Sequence, residues 1–286
     1  MRKTNPLSQL TDAVNLRRIW AMTTITLLSW NVNGARAAQR AGFLPWLAEA
    51  APDILCLQET RCDAEQLPAE MRQPPGYHAF WHGAARKKGY SGTALLTRSA
   101  PEAVRFGLGD PQFDDEGRTI VADYPDFTLI NCYFPNGGRD HSRVPFKLAF
   151  YDAFLALCER LRAAGRPVVF CGDVNTAHRA IDLARPRENR NTTGFLPEER
   201  AWMDRLVASG YVDTLRHFHP ELAGQYTWWL QFGGARERNI GWRIDYFFVA
   251  AEVLPRVADA FILPEVRGSD HCPVGLRLAA TEPVTE

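Results

Sequence analysis

VVFCGDVNTAH, residues 168–178, decides how the rest of the chain is read. Val168, Val169, Phe170 and Cys171 form a short continuous apolar run bounded by Gly165–Pro167 and Gly172. A run of that length between breakers predicts a strand buried on both faces. Asp173 and Asn175 follow where the run stops, and at an i, i+2 spacing in extended chain their side chains point the same way. A carboxylate and a carboxamide emerging together from a rigid strand end suit a hard cation such as Mg²⁺ or Mn²⁺, or the positioning of a water. Taken alone, Asp-X-Asn after a strand is more often a turn whose side chains bond their own backbone. What weighs against that reading is recurrence elsewhere in the chain.

The pattern recurs. Thr24–Trp30 (TITLLSW) is a β-rich run ending in Asn31-Val32-Asn33-Gly34, and Asp53–Leu57 is another, ending at Glu59. Tyr77–Trp81, Gly92–Thr97, Thr119–Tyr124 and Phe127–Tyr133 read as further strands, the last delivering Tyr133. Ile244–Val249 carries Asp245, Phe261–Leu263 is short, and Asp270-His271 precedes the closing strand Val274–Leu278. Helices are predicted over Phe43–Ala50, over Ser142–Ala164 with a stripe of Phe146, Phe150, Phe154, Leu157 and Leu161, and over Pro197–Ser209. Each polar residue has an ordinary structural explanation: a turn, a cap, a core tyrosine, a partner for Arg243, a satisfied loop histidine. A shared rim at the strand ends explains all of them at once. Strands interleaved with helices predict an α/β architecture of two packed sheets.

Composition bounds the rest. The 286 residues are 46% hydrophobic and 11% aromatic, enough for a sizeable core, and no apolar run reaches the ~18 residues a membrane span needs. No linker or shift in composition divides the chain, so a single domain is expected over 23–280, flanked by a flexible N-terminal tail (1–22) and a short C-terminal tail (281–286). The N-terminal segment lacks the apolar core of a signal peptide. The six cysteines form no CxxC pair and read as reduced structural thiols, hence a cytoplasmic, non-secreted protein. Formal charge is zero, so a nucleic-acid partner would need a local basic face. Arg86-Lys87-Lys88, Arg139, Arg143, Arg179 and the arginines of 185–190 are candidates for it.

With these residues in view, the chain resembles the exonuclease III family of apurinic/apyrimidinic (AP) endonucleases, within the endonuclease/exonuclease/phosphatase superfamily. SWNVNGAR (29–36), LQET (57–60), YFPNGGR (133–139), CGDVNTAH (171–178), GFLPEER (194–200), YTWW (226–229) with NIGWRIDYF (239–247), and GSDHCP (268–273) look like that family's signature segments in its order. The resemblance spans roughly Ile25 to Leu278 and implies a four-layer α/β sandwich, two packed mixed sheets flanked by helices. It implies Mg²⁺ as cofactor, with Mn²⁺ able to substitute, and a metal side drawn from Asn31, Asn33, Glu59, Asp173, Asn175, Asp270 and His271. Glu59 would be the direct ligand. Some family members carry Asp where this chain has Asn33, and an amide is the weaker metal ligand.

The catalytic set implied is Tyr133, Asp173, Asn175, Asp245 and His271. Asp173 would act as general base or orient the attacking water, helped by Asn175. His271, oriented by Asp245, would bind the scissile phosphate, as would Tyr133. Arg139, Arg179, Asn189, Trp228, Trp229, Trp242 and Ile244 would face DNA, the tryptophans and Ile244 walling a pocket for a flipped-out, base-less sugar. The implied partner is duplex DNA with abasic sites or blocked 3′ ends, acted on by a monomer in the cytoplasm, at the nucleoid. The chemistry fits on its own terms, since phosphodiester hydrolysis needs charge neutralisation, an activated water and a stabilised leaving group. No serine or cysteine beside this histidine forms a nucleophile elbow. Two other readings compete: a superfamily phosphatase or phosphodiesterase for inositol phosphates, phospholipid head groups or RNA, and a DNA-binding module without catalysis. YTWW and GWRIDYF argue against the first, the intact polar set against the second.

Overall fold

A computed structural model describes residues 24–280; the tails expected at 1–22 and 281–286 lie outside the described residues. In chain order the strands are β1 (Thr24–Asn31), β2 (Ile54–Gln58), β3 (His78–His82), β4 (Thr93–Thr97), β5 (Ala103–Phe106), β6 (Thr119–Asp123), β7 (Thr128–Cys132), β8 (Val168–Asp173), β9 (Tyr211–Asp213), β10 (Trp228–Trp229), β11 (Gly241–Trp242), β12 (Asp245–Ala250), β13 (Val257–Ile262) and β14 (Val274–Ala279). They build one six-stranded sheet in the order β13-β14-β1-β2-β4-β3, a second in the order β5-β6-β7-β8-β12-β9, and a two-stranded ribbon, β10-β11.

Each large sheet has one parallel pair, β1–β2 in the first and β7–β8 in the second, and every other pairing is antiparallel. A parallel pair needs a crossover connection. Helices α1 (Ala35–Arg40) and α2 (Phe43–Ala50) supply it for β1–β2, and α3 (Val144–Ala163) for β7–β8. The carboxyl ends of both parallel pairs lie at one end of the sandwich. Because β12 runs antiparallel to β8, with Asp245 opposite Asp173, and β14 runs antiparallel to β1, the starts of β12 and β14 arrive at that same end. This is why polar residues that follow some strands meet residues that precede others.

Alternation builds the layers. Leu27, Ile54, Cys56 and Leu95 face the second sheet, while Leu28, Trp30, Leu55 and Leu57 pack on Phe43 and Leu47 of the helical layer. On the far side, Phe150, Phe154 and Cys158 of α3 and Trp202, Met203 and Leu206 of α4 (Pro197–Ala208) cover the second sheet. The result is the expected four-layer α/β sandwich. The buried face of α3 is rotated from the expected stripe: Lys147, Phe150, Tyr151, Phe154 and Cys158 are fully buried, whereas Phe146, Leu157 and Leu161 pack at the margin. Several short elements escaped the sequence reading, among them α1, β10 and β11. The exposed edge strand β5 and the three-residue β9 are too short for a periodic signal, and β13 extends well upstream of the expected Phe261–Leu263.

Close approach fixes Gly172. A Cβ at that position would lie 1.9 Å from the Cys132 carbonyl oxygen, so only glycine lets β8 run against β7 immediately before Asp173. Between the sheets, Asn131 accepts from Gln58 Nε2 at 2.8 Å and donates to the carbonyls of Leu57 and Ala94. That bond sets one sheet against the other just beneath Glu59 and Tyr133.

A buried charge network holds the loop after β8. Asp182 accepts from Arg243 Nε at 2.8 Å and from Arg216 Nε at 3.0 Å, and Asp213 takes the other end of Arg243 at 2.6 Å. Burial alone would raise the Asp182 carboxyl, but Arg243 and then Arg216 hold it down at about 2. Asp182→Asn should therefore cost about 3–5 kcal/mol at neutral pH, read by urea denaturation. Because the folded pKa lies below the roughly 3.9 of an unfolded aspartate, that contribution is complete above about pH 4 and disappears as pH falls through 2. A variant as stable as wild type at pH 7 would contradict this account.

Candidate active site

Strand ends make the site, and the backbone breaks at them in the same way. Asn31 closes β1 and its Oδ1 accepts from the Asn33 amide at 3.0 Å. Asp173 closes β8 and its Oδ1 accepts from the Asn175 amide at 2.8 Å. Both are side-chain-to-backbone turns, so the ordinary reading of Asp-X-Asn holds as well as the chemical one. The extended i, i+2 geometry expected from the sequence does not persist. Asn33 (φ 48°), Glu59 (φ 52°) and Asn175 (φ 56°) all adopt left-handed backbone, a conformation that costs of order 1 kcal/mol per non-glycine residue and clusters at functional sites. It ends each strand abruptly and turns the side chain inward.

The two turns touch. Asn31 Nδ2 donates to Asp173 Oδ2 at 2.9 Å and to Glu59 Oε1 at 3.1 Å. Asn175 Nδ2 also reaches Asp173 Oδ2, at 3.3 Å, and its Oδ1 accepts from Asn136 at 3.0 Å. The Tyr133 hydroxyl bonds Glu59. On the other side, His271 Nδ1 lies 2.9 Å from Asp245 Oδ2 and its Nε2 lies 3.9 Å from Asp173 Oδ2. Asp270 accepts from Asn33 Nδ2 at 2.7 Å and from Trp228 Nε1 at 3.2 Å.

Charges here are buried and tuned. Burial lowers His271, but Asp245, by charge and hydrogen bond, outweighs it and lifts the imidazole to about 10. Asp173 is raised to about 7 by burial first and by Asp245 second, with His271 pulling it back. A carboxylate near 7 is matched to proton abstraction at neutral pH. Burial, then Glu59, drives Tyr133 well above the ordinary phenol range, so it remains a hydrogen-bond donor. Asp173, Asp245 and His271 offer ligand atoms within 4.8 Å of one another, but one of the three is an imidazole, which suits a hard cation such as Mg²⁺ less well than oxygen does. His271, implied as a metal-side residue, pairs through Nδ1 with Asp245 Oδ2 and turns Nε2 toward Asp173. Glu59, Asn31, Asn33 and Asp270 form the better set: hard oxygen donors only, with the Arg61 guanidinium seated on Glu59 as a stand-in cation.

A cavity of about 730 Å³ opens over these groups. One wall is apolar: Trp228, Trp242 and Ile244 line it, packed against Phe195 and Leu183. Arg139, Asn191, Thr192 and Thr193 line another part. Several expected DNA-facing residues are elsewhere. Trp229 is buried beneath Arg236 and donates to Asn239. Arg179 donates to the Pro220 carbonyl and lies near Glu221. Asn189 turns into its own loop, donating to the Arg185 carbonyl, and its neighbour Asn191 takes the cavity wall. Arg143, too, is tied to Glu116.

Other residues come from no expectation. Lys147, fully buried, donates to the Asn175 carbonyl, Thr176 Oγ1 and Glu199 Oε1 at 2.7–2.8 Å. Glu199 in turn caps the amides of Gly194 and Leu196, so one ion pair pins both Asn175 and the cavity wall. The GFLPEER segment contained Glu199 at the third position of a Pro-started helix, which is a capping signal; Lys147 carried none. Arg118 stacks 4.7 Å from the Tyr133 ring centroid and donates to its carbonyl.

Residues 28–271 match the model of the endonuclease/exonuclease/phosphatase family. The chain is 44% identical over 251 residues to an exodeoxyribonuclease of Bacillus subtilis strain 168, covering 87% of this chain and 98% of that one. It is 42% identical over 254 residues to the DNA repair nuclease APEX1 of Danio rerio, covering 88% and 82%. Among solved structures, an AP endonuclease from Archaeoglobus fulgidus superimposes with a TM-score of 0.81 at 30% identity, covering 89% of this chain and 99% of that one.

The pairing of Asp245 with His271 can be tested by NMR titration of metal-free protein. His271 should stay protonated well past its ordinary 6.5, to about 10. Its stabilising contribution is complete below 6.5 and fades as pH rises through about 10. In Asp245→Asn the titration should move down by about two units or more. An unmoved titration would show that Asp245 does not hold the proton.

Proposed function

Because the chain belongs to the endonuclease/exonuclease/phosphatase family, we propose that it is a metal-dependent AP endonuclease of DNA base-excision repair. It cuts the phosphodiester 5′ to an abasic site in duplex DNA, leaving 3′-hydroxyl and 5′-deoxyribose phosphate ends. Exonuclease activity accompanies it, in keeping with the name of the Bacillus relative, and 3′-end-cleaning activity completes the set. One observation carries the reading: a rim able to hydrolyse a phosphodiester and an apolar wall of Trp228, Trp242 and Ile244 share one cavity. A base-less sugar costs little to extrude and fits an apolar wall, while a normal nucleotide brings both a base and an unstacking penalty. Duplex DNA with abasic sites or blocked 3′ ends is thus the proposed partner.

The residues divide the work. Glu59, with Asn31, Asn33 and Asp270 around it, would hold Mg²⁺, which would supply charge neutralisation at the phosphate. Asp173 takes the proton of the attacking water at Oδ2, the oxygen that Asn31 and Asn175 orient. His271, charged and fixed by Asp245, donates from Nε2 to a phosphate oxygen. Tyr133 donates its phenol proton as a hydrogen bond. Arg139 lies where it can meet the strand backbone. Residues 23–280 form one catalytic domain on this reading. All six cysteines are free and buried, which suits a reducing compartment that holds the chromosome, the cytoplasm at the nucleoid. Among the described residues no helix is long and apolar enough to cross a membrane.

The test is a 5′-labelled duplex carrying one tetrahydrofuran abasic analogue, incubated with Mg²⁺ or with EDTA beside an undamaged duplex. A single metal-dependent product ending just 5′ of the analogue is expected. No cut with either Mg²⁺ or Mn²⁺, together with hydrolysis of a soluble inositol phosphate, would replace this reading with the phosphatase one.

A further inference from the structure

Arg61 is the residue of the rim for which the proposed chemistry has no use. It follows Glu59 by two positions and holds a left-handed backbone, φ 52°. Its amide donates to the Ser91 carbonyl at 2.8 Å, and the Thr60 amide to the Gly92 carbonyl at 3.1 Å, so the segment is tied to the loop before β4. The guanidinium folds back onto Glu59: Nε lies 2.8 Å from Oε2, and Nη2 bonds the same oxygen. Among the described residues Glu59 is its only acceptor. An ordinary surface ion pair contributes too little to offset a strained non-glycine backbone, so the position of this side chain needs another explanation.

Glu59 has few lone pairs left. Its Oε1 accepts from Asn31 at 3.1 Å, Oε2 takes the guanidinium through both Nε and Nη2, and the hydroxyl of the buried Tyr133 also bonds the carboxylate. A divalent cation that binds Glu59 directly must therefore displace a donor. Asn31 is fully buried and simultaneously bonded to Asp173, so it has nowhere to go. The Arg61 side chain is 45% exposed at the mouth of the cavity and can swing outward into water without leaving a buried group unpaired.

We propose that Arg61 is the resident counter-cation of the Glu59 site: its guanidinium occupies the face of Glu59 that a divalent cation takes, leaves when the cation binds, and so sets the affinity of the site for metal. This rests on the reading of Glu59 as a metal ligand. In the metal-free protein the guanidinium holds the Glu59 carboxylate in place, so the rim is organised before loading, and metal binding becomes an exchange of one cation for another. The cost of that exchange is the loss of a charge-assisted, forked hydrogen bond.

Mn²⁺ binding to the full chain without DNA, followed by titration calorimetry, tests it. Arg61→Gln should bind Mn²⁺ about five- to tenfold more tightly than wild type, the scale of one partly exposed charge-assisted pair. Arg61→Gly, which the left-handed backbone accommodates without strain, should also bind more tightly. Millimolar methylguanidinium should reverse the gain in Arg61→Gly while leaving wild type unchanged, because the free ion refills the vacated place. Arg61→Gln binding with the wild-type affinity would overturn the proposal. So would a tighter Arg61→Gly variant indifferent to methylguanidinium, which would mean that only long-range charge is at work. Glu59→Gln separates the two readings: lost Mn²⁺ binding keeps Glu59 as the ligand whatever Arg61 does, and retained binding overturns both.

Discussion

One hydrogen bond joins the two halves of the molecule at the place where chemistry happens. Asn31, at the end of β1 in one sheet, donates to Asp173, at the end of β8 in the other, at 2.9 Å. Both are buried, and a bond to a charged acceptor contributes of order 1.5–3 kcal/mol. Each residue is also the anchor of a tight turn that its own side chain closes. The sandwich thus presents two copies of one local design face to face, one carrying an amide and the other a carboxylate. Everything else in the site is arranged by that meeting: Glu59 from the neighbour of β1, Tyr133 from the neighbour of β8, and Asp245 and His271 from the strands antiparallel to them.

The constraint explains the electrostatics as well. Asp173 surrenders Oδ1 to its turn and presents Oδ2 to the cavity, where Asn31 and Asn175 hold it and His271 faces it. Two buried carboxylates so close to one imidazole cannot all lose their protons cheaply, so the histidine keeps one and Asp173 titrates near neutrality. Buried ion pairs away from the reacting groups keep this geometry from relaxing. Lys147 with Glu199 clamps the Asn175 backbone, and Asp182 with Arg243 fixes the approach to Asp245. Left-handed backbone at Asn33, Glu59 and Asn175 is tolerated because so much of the surroundings determines it.

Much of this was legible in the sequence, for identifiable reasons. Continuous apolar runs such as Val168–Cys171 name buried central strands, and the polar residues that stop them name the rim. Edge strands such as Ala103–Phe106 were not legible, because one exposed face and four residues leave no period to detect. The apolar wall was half legible. Adjacent tryptophans in a strand must point opposite ways, so Trp228 and Trp229 could not both face the cavity, and Trp229 took the buried side. Arginines were the least legible: Arg143, Arg179 and Arg243 look alike in sequence, and only folding shows that they bind Glu116, the Pro220 carbonyl and Asp182. Partners so distant along the chain leave no local trace.

The most direct test of the account is single-turnover cleavage of abasic duplex by Asp173→Asn, measured beside its affinity for the same DNA. The substitution keeps the size of the side chain and removes the basic oxygen, leaving a single amide oxygen that can serve the Asn175 turn or Asn31 but not both. Cleavage should fall by at least about a hundredfold while affinity is unchanged or slightly improved. Cleavage at the wild-type rate would show that the strand-end carboxylate is not the base, and the account of the site would fail at its centre.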